Sequence, residues 1–148
     1  LIEKIFSLEF KSFVNFPRFE IWNKSIDLIF QKPFLGWGAS TFAIIYVLEG
    51  GIYSPQHTHN MILELAYNFG IPLALIISTF SICILIKGWQ IFLKNKKDFL
   101  TINSYWLASL TTVFLSHFND ISYYDGKISI FIWILLAGVK CMNEEQNV

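Results

Sequence analysis

Arginine occurs once in this chain, at Arg18, and cysteine only twice, at Cys83 and Cys141. Neither cysteine has a second cysteine or a histidine at metal-ligand or disulfide spacing, so the pair supports neither a metal centre nor a disulfide framework. Each reads as a small buried apolar side chain. Charge is scarce, at 15% of residues, and balanced, with 11 basic against 11 acidic side chains. Without a global basic field, nucleic-acid binding is a poor fit. There is no internal repeat and no low-complexity tract, and residues Leu1 to Val14 lack the charged-then-apolar layout of a signal peptide. A chain opening on Leu1 reads as the C-terminal piece of a longer protein.

What is abundant is apolar. Of 148 residues, 54% are hydrophobic and 18% aromatic, a composition outside the soluble range that points to an integral membrane protein. The longest apolar run starts at Ile71 and reaches Leu93. At about 1.5 Å per residue it is long enough to cross a hydrocarbon core of about 30 Å. Pro72 falls in its first turn, where a missing N–H costs little. Lys94, Lys96 and Lys97 follow, and the positive-inside rule makes their loop cytoplasmic. A second span is expected over 99–118, whose hydroxyls at Thr111, Thr112 and Ser116 suggest a helix facing a bundle or cavity. A third is expected within 124–142, its apolar part beginning at Ile128, followed by a cytoplasmic tail over 143–148. This topology places residues 1–70 on the outer face.

Within that outer segment, Pro17 to Gln31 has the spacing of an amphipathic helix. Phe19, Trp22, Ile26 and Ile29 recur at helical steps, while Arg18, Asn23, Lys24, Asp27 and Gln31 take the other side. Pro17 suits its first position and Pro33 stops it. Such a helix is expected to lie along the membrane surface. The stretch from Phe34 to Gln56 is Gly-rich and irregular apart from the run Phe42 to Leu48, which is too short to span. The fold class expected is therefore all-α: a polytopic membrane helix bundle with about three transmembrane helices, an outer amphipathic helix and an irregular loop.

The residues that could carry chemistry lie just before the first span, in His57-Thr58-His59-Asn60. Thr58 is a plausible N-cap, which would put His59 and Asn60 in the first turn of a helix running through Glu64 to Gly70. Such a turn attracts anions and disfavours a protonated imidazole, so a neutral His59 beside a bound pyrophosphate would suit a general base. Asn60 and Glu64, four apart, could orient the ring or the acceptor. The alternative is that His57 and His59 are interfacial polar groups bonded to water or backbone. Arg18 either grips a phosphate with its planar fork or stacks on Trp22. Gly36-Trp37-Gly38 lacks dinucleotide-binding or P-loop spacing and reads as a tight turn with an interfacial Trp anchor. His117 and Asp120, at the outer end of the second span, are further candidates.

Taken in order, Arg18 and Trp22, then Pro33, Gly36-Trp37-Gly38, His59-Asn60 and Gly70 before a span, then an Asp-containing outer loop before the last helix, resemble the O-antigen ligase and polymerase superfamily of bacterial membrane proteins. The resemblance covers about Arg18 to Lys140. It implies transfer of a glycan from an undecaprenyl pyrophosphate carrier to a lipid or glycan acceptor hydroxyl, with no cofactor, metal or nucleotide sugar. It further implies a multi-pass protein of the bacterial inner membrane, in contact with membrane lipids and with its active-site loop periplasmic. His59 would be the catalytic histidine and Arg18 the pyrophosphate-binding arginine, with Trp22, His57, Asn60 and Glu64 around the substrate. The pattern departs at Leu73, where the ligase signature carries a second glycine, and in having one outward arginine where the family uses more than one; the missing partner is expected either in an N-terminal portion before Leu1 or as Lys11 or Lys24 in its place. These departures favour a broad ligase-or-polymerase reading. A transporter subunit for polysaccharide or bicarbonate and a non-catalytic assembly subunit are the alternatives.

Overall fold

The computed structural model describes residues 17–52, 54–94, 102–121 and 124–145. Lys11, Lys96 and Lys97, the start of the second expected span at 99–101 and the last tail residues 146–148 lie outside them. Among the described residues the elements are six α-helices: α1 (Pro17–Gln31), α2 (Phe42–Leu48), α3 (Met61–Phe69), α4 (Ile71–Lys94), α5 (Ile102–Ser116) and α6 (Gly126–Glu145). The chain divides between Ala74 and Leu75 into two compact units.

In the first unit α1 packs against α3 and α2. Its buried stripe is Ile21, Ser25, Leu28 and Ile29, the i, i+4, i+7, i+8 spacing of one helical face. Phe19 and Ile26, which the sequence pattern assigns to the apolar face, are exposed together with Phe30. The helix therefore carries two apolar stripes, one turned inward and one outward. Ser25 belongs to the buried stripe because its hydroxyl donates to the Ile21 carbonyl one turn back, at 2.6 Å. Phe42, Tyr46, Tyr67 and Leu28 are almost fully buried and form the centre of this unit, with the Phe42 ring edge-on to Tyr67 at 4.9 Å. The short apolar run is thus a two-turn helix that sends Phe42 and Tyr46 into the core and leaves Ile44, Val47 and Leu48 exposed.

The second unit is built around Ile84, Leu107, Leu110, Leu136 and Val139 from α4, α5 and α6. Two glycines allow close approach, because a Cβ on Gly88 would meet Leu107 and one on Gly138 would meet the Trp106 ring. Buried Asn143 donates to the Ile84 carbonyl at 3.0 Å, a polar bond inside an otherwise apolar packing. α4 and α6 are long and apolar enough to cross a membrane, yet only 22% and 17% of their most apolar windows are buried. A soluble core helix is mostly buried, so these outward apolar surfaces suit lipid. The described part of the second expected span, α5, has 15 residues, about 22 Å at the helical rise.

Two expectations are corrected here. Thr112 and Ser116 are exposed and donate to the carbonyls of Ala108 and Val113 in their own helix, so those hydroxyls need no cavity to face. Thr111 alone of the three reaches across, accepting from the Trp89 indole at 3.1 Å. Cys83 in α4 and Cys141 in α6 are free thiols, but both are exposed and neither is buried.

Candidate active site

The short helix α3 is held at both ends by other parts of the first unit. At its C-terminus, the carbonyls of Tyr67 and Asn68 accept from the backbone N–H groups of Trp37 and Gly38, at 2.7 and 3.1 Å. These are carbonyls that a helix end leaves without intrahelical partners. The approach is close enough that a Cβ on Gly36, whose φ is +68°, would sit 2.5 Å from the Tyr67 oxygen. Only glycine combines that backbone angle with that proximity. The Trp37 indole donates to the Leu28 carbonyl of α1 at 2.8 Å, its ring lies nearly parallel to Tyr67, and the Lys32 ammonium sits 3.9 Å from its centroid. The tight turn is present, and Trp37 is a strut between α1 and α3.

At the other end, Asn60 is the N-cap of α3. Its φ and ψ are extended, and its Oδ1 accepts from the N–H groups of Ile62 and Leu63, both at 3.1 Å. The helix begins at Met61, so His59 and Asn60 are not in its first turn. Thr58 is not the cap because its polar groups are engaged elsewhere. Its N–H donates to Glu64 Oε2 at 2.9 Å, its carbonyl accepts the Trp22 indole N–H at 2.9 Å, and its hydroxyl donates to the Asn60 carbonyl at 2.9 Å. The Asn60 side chain takes two of the N–H groups that an anion at this helix start would use, which weakens the expected phosphate cradle.

Glu64 is fully buried. Besides the Thr58 N–H, its carboxylate accepts from Asn68 Nδ2 at 3.1 Å, so it links the loop to the body of α3. A buried carboxylate is tolerated when both oxygens are hydrogen-bonded in this way. Nearby, the Tyr67 hydroxyl pairs with Thr41 Oγ1 at 3.0 Å. Burial pushes the Tyr67 phenol above its ordinary value of 10.0; the Thr41 bond opposes this, and the Glu64 charge adds to it.

His59 sits between these fixed points with φ of +55°. Left-handed backbone is uncommon for a residue with a side chain and costs on the order of 1–2 kcal/mol. It persists here because Thr58 on one side and Asn60 on the other are both anchored. The His57 and His59 rings meet edge-to-face at 4.2 Å, and both side chains are half-buried. Strained backbone of this kind clusters at functional sites.

Arg18 is exposed in the first turn of α1 and makes no hydrogen bond or ion pair to any described residue. Trp22 follows one turn later, about 6 Å along the axis. The Trp22 ring packs edge-on to Phe19, and its indole holds the Thr58 carbonyl. The first unit therefore brings together Trp22, His57, His59, Asn60 and Glu64, with Arg18 on the helix that contacts their loop. His117 and Asp120 belong to the second unit. His117 is buried beyond the end of α5 with Nδ1 paired to the Val113 carbonyl at 2.6 Å, and Asp120 is exposed with Oδ1 accepting from the Ile121 N–H. Sequence reasoning missed Thr58 as the loop's anchor, and Asn68. The four-residue step from Glu64 to Asn68 is the signal that could have found the latter.

The chain is 34% identical over 86 residues to a ComP-specific O-oligosaccharyltransferase of Acinetobacter baylyi (strain ATCC 33305 / BD413 / ADP1), an alignment covering 55% of this chain. It spans only 16% of that relative's length. No solved structure matches the chain. A profile described as O-Antigen ligase matches residues 2–78, a segment that holds α1, the 57–60 loop and α3. By that match, over about half of its length, this helical membrane chain belongs to the O-antigen ligase family.

Proposed function

We propose that the full-length protein transfers a glycan from an undecaprenyl pyrophosphate carrier to an acceptor hydroxyl, in the building of cell-surface polysaccharide or lipopolysaccharide. One observation carries this reading: within the segment matched by the family profile, the loop from His57 to Asn60 is fixed from three directions around a strained His59. A residue held so firmly in an unfavourable backbone conformation suits a task that requires its imidazole at a set position.

In this account the acceptor oxygen forms a bond to the anomeric carbon while the bond from that carbon to the carrier pyrophosphate breaks. His59 takes the acceptor's proton, a contribution of roughly 10²–10⁴-fold for a positioned general base. Arg18, exposed and without a described partner, holds the pyrophosphate, whose growing charge it stabilises through a planar fork. Trp22, Glu64 and Asn60 act by fixing the loop, and His57 by packing against the His59 ring. The loop lies on the periplasmic face of the inner membrane, a reading supported by the positive-inside rule applied to the lysines that follow the first span in the sequence.

The test is to express the full-length protein carrying His59→Ala or Arg18→Ala in cells lacking the native copy and to measure the glycan product. Loss of product with normal membrane levels of both variants is expected. Normal product from either variant removes the role given to that residue, and normal product from both favours an assembly subunit without chemistry.

A further inference from the structure

The strongest unexplained feature of the first unit is the turn that follows α1. It is closed by a bond from the Gly36 N–H to the Lys32 carbonyl at 3.1 Å, and its tip carries Phe34 and Leu35, which are 76% and 87% exposed. Two large apolar side chains left so open at adjacent positions are uncommon on a surface that meets water. The backbone of the same tip is tightly held. The Ile71 N–H donates to the Pro33 carbonyl at 2.7 Å, and the Phe34 carbonyl lies so close to Gly70, at φ of +88°, that a Cβ there would collide with it.

Ile71 is the first residue of α4, a helix long and apolar enough to cross a membrane. The Phe34–Leu35 tip is therefore tied to the first residue of that helix. A first-turn N–H near hydrocarbon needs a partner because water is scarce there, and the Pro33 carbonyl supplies one to Ile71. The outward stripe of α1, Phe19, Ile26 and Phe30, leads along the helix toward the same turn, and Leu73 continues the exposed apolar surface onto the first turn of α4.

We infer that Phe34 and Leu35 are a bilayer anchor: they insert into the interface between headgroups and acyl chains beside the entry of α4. The occupant of this surface is membrane lipid, because the backbone of the tip is bonded to Ile71, the first residue of a helix long and apolar enough to cross a membrane. The anchor sets the depth of the 57–60 loop, since the tip is joined to α3 through Gly70 and through the Trp37 and Gly38 bonds to its last carbonyls. Its purpose rests on the proposed glycan transfer, which needs the loop level with the pyrophosphate of a membrane-embedded carrier; its existence does not.

The test uses the full-length protein in lipid nanodiscs, with Cys83 and Cys141 replaced by Ser and a nitroxide placed at Phe34→Cys, Leu35→Cys or, as a reference, Asn23→Cys. Labels at 34 and 35 should relax strongly with oxygen and weakly with a water-soluble nickel chelate, giving a positive depth parameter, and both should lie deeper than the label at 23. A second measurement leaves Phe34 and Leu35 unaltered: a phospholipid with a diazirine near the glycerol end of its acyl chain should tag the peptide that contains them. Nickel accessibility equal to that at 23 places the tip in water and overturns the anchor. Low accessibility to both reagents, with no lipid tag, means that another part of the protein covers the tip and overturns it equally. Neither measurement depends on glycan transfer, so inactivity of the His59 variant and failure of the anchor are read separately.

Discussion

Replacing Glu64 should loosen the loop that carries His59 while leaving the rest of the unit folded. The structure gives the size of the effect. Glu64 is fully buried and accepts from the Thr58 N–H and from Asn68 Nδ2, and a hydrogen bond to a charged group is worth about 1.5–3 kcal/mol. Glu64→Ala removes the acceptor from the buried Thr58 amide, so local opening becomes easier by that amount. The corresponding rise in amide exchange is roughly 10- to 150-fold across 57–60. Glu64→Gln should be milder. A neutral amide still accepts from Thr58 through its oxygen, and Asn68 can turn its own amide to accept from the new NH2, leaving a loss of about 1 kcal/mol and about fivefold faster exchange. Hydrogen exchange with mass spectrometry on the full-length protein reads both variants. Unchanged exchange over 57–60 in Glu64→Ala would refute the claim that this carboxylate holds the loop. Equal increases in the Ala and Gln variants would refute the part played by charge.

Other consequences are testable in the same preparation. Trp22→Phe keeps an aromatic side chain, though a smaller one, and loses the bond to the Thr58 carbonyl, about 0.5–1.5 kcal/mol; because Trp22 acts through the loop, kcat should fall with little change in KM for the donor, whereas a rise in KM alone would mean direct substrate contact. Gly36→Ala should lower stability by about 3 kcal/mol or more, since strain at φ of +68° adds to a clash with the Tyr67 carbonyl. Gly50→Ala, at φ of +84° with no heavy atom within 4 Å, should cost only the backbone strain of about 1–2 kcal/mol; similar losses of melting temperature in the two variants would contradict the close approach of the Gly36 turn to α3. The phenol of Tyr67 is raised by burial, so the folded state keeps a proton that the unfolded chain gives up. Its contribution to stability is full below pH 10.0 and is lost as pH climbs toward the folded value. Thermal melts above about pH 10 should fall more steeply for the native protein than for Tyr67→Phe, and parallel slopes would remove this linkage.

The elements that depend on local pattern are legible in the sequence alone. Pro17 and Pro33 bracket α1 because proline is tolerated at a helix's first position and blocks continuation past its end, and the apolar length from Ile71 demands a long helix whatever surrounds it. What escapes such reading is set by tertiary contacts. The face that α1 buries differs from the expected one because Phe19 and Ile26 are as apolar as Ile21 and Leu28, and hydropathy cannot say which stripe meets protein and which meets something else. For the cap of α3, local chemistry does not separate Thr58 from Asn60, since threonine and asparagine are both good caps. The choice is made by Trp22 and Glu64, which lie 36 residues before and 6 residues after Thr58 and engage its carbonyl and N–H. The role of Trp37 is hidden for the same reason, since its partners lie on α1 and α3. His59 is legible as a candidate through its place before the span, but its left-handed backbone is not, because the strain follows from fixing both of its neighbours.

The central claim is that the imidazole of His59 serves the transfer of a glycan from a pyrophosphate carrier. The most direct measurement is single-turnover transfer from purified undecaprenyl-pyrophosphate-linked glycan by the full-length protein, native against His59→Ala, with donor binding measured in parallel. A loss of roughly 10²-fold or more in the transfer rate is expected, with donor binding retained. A native rate in the variant, or a loss explained entirely by weaker donor binding, would contradict it.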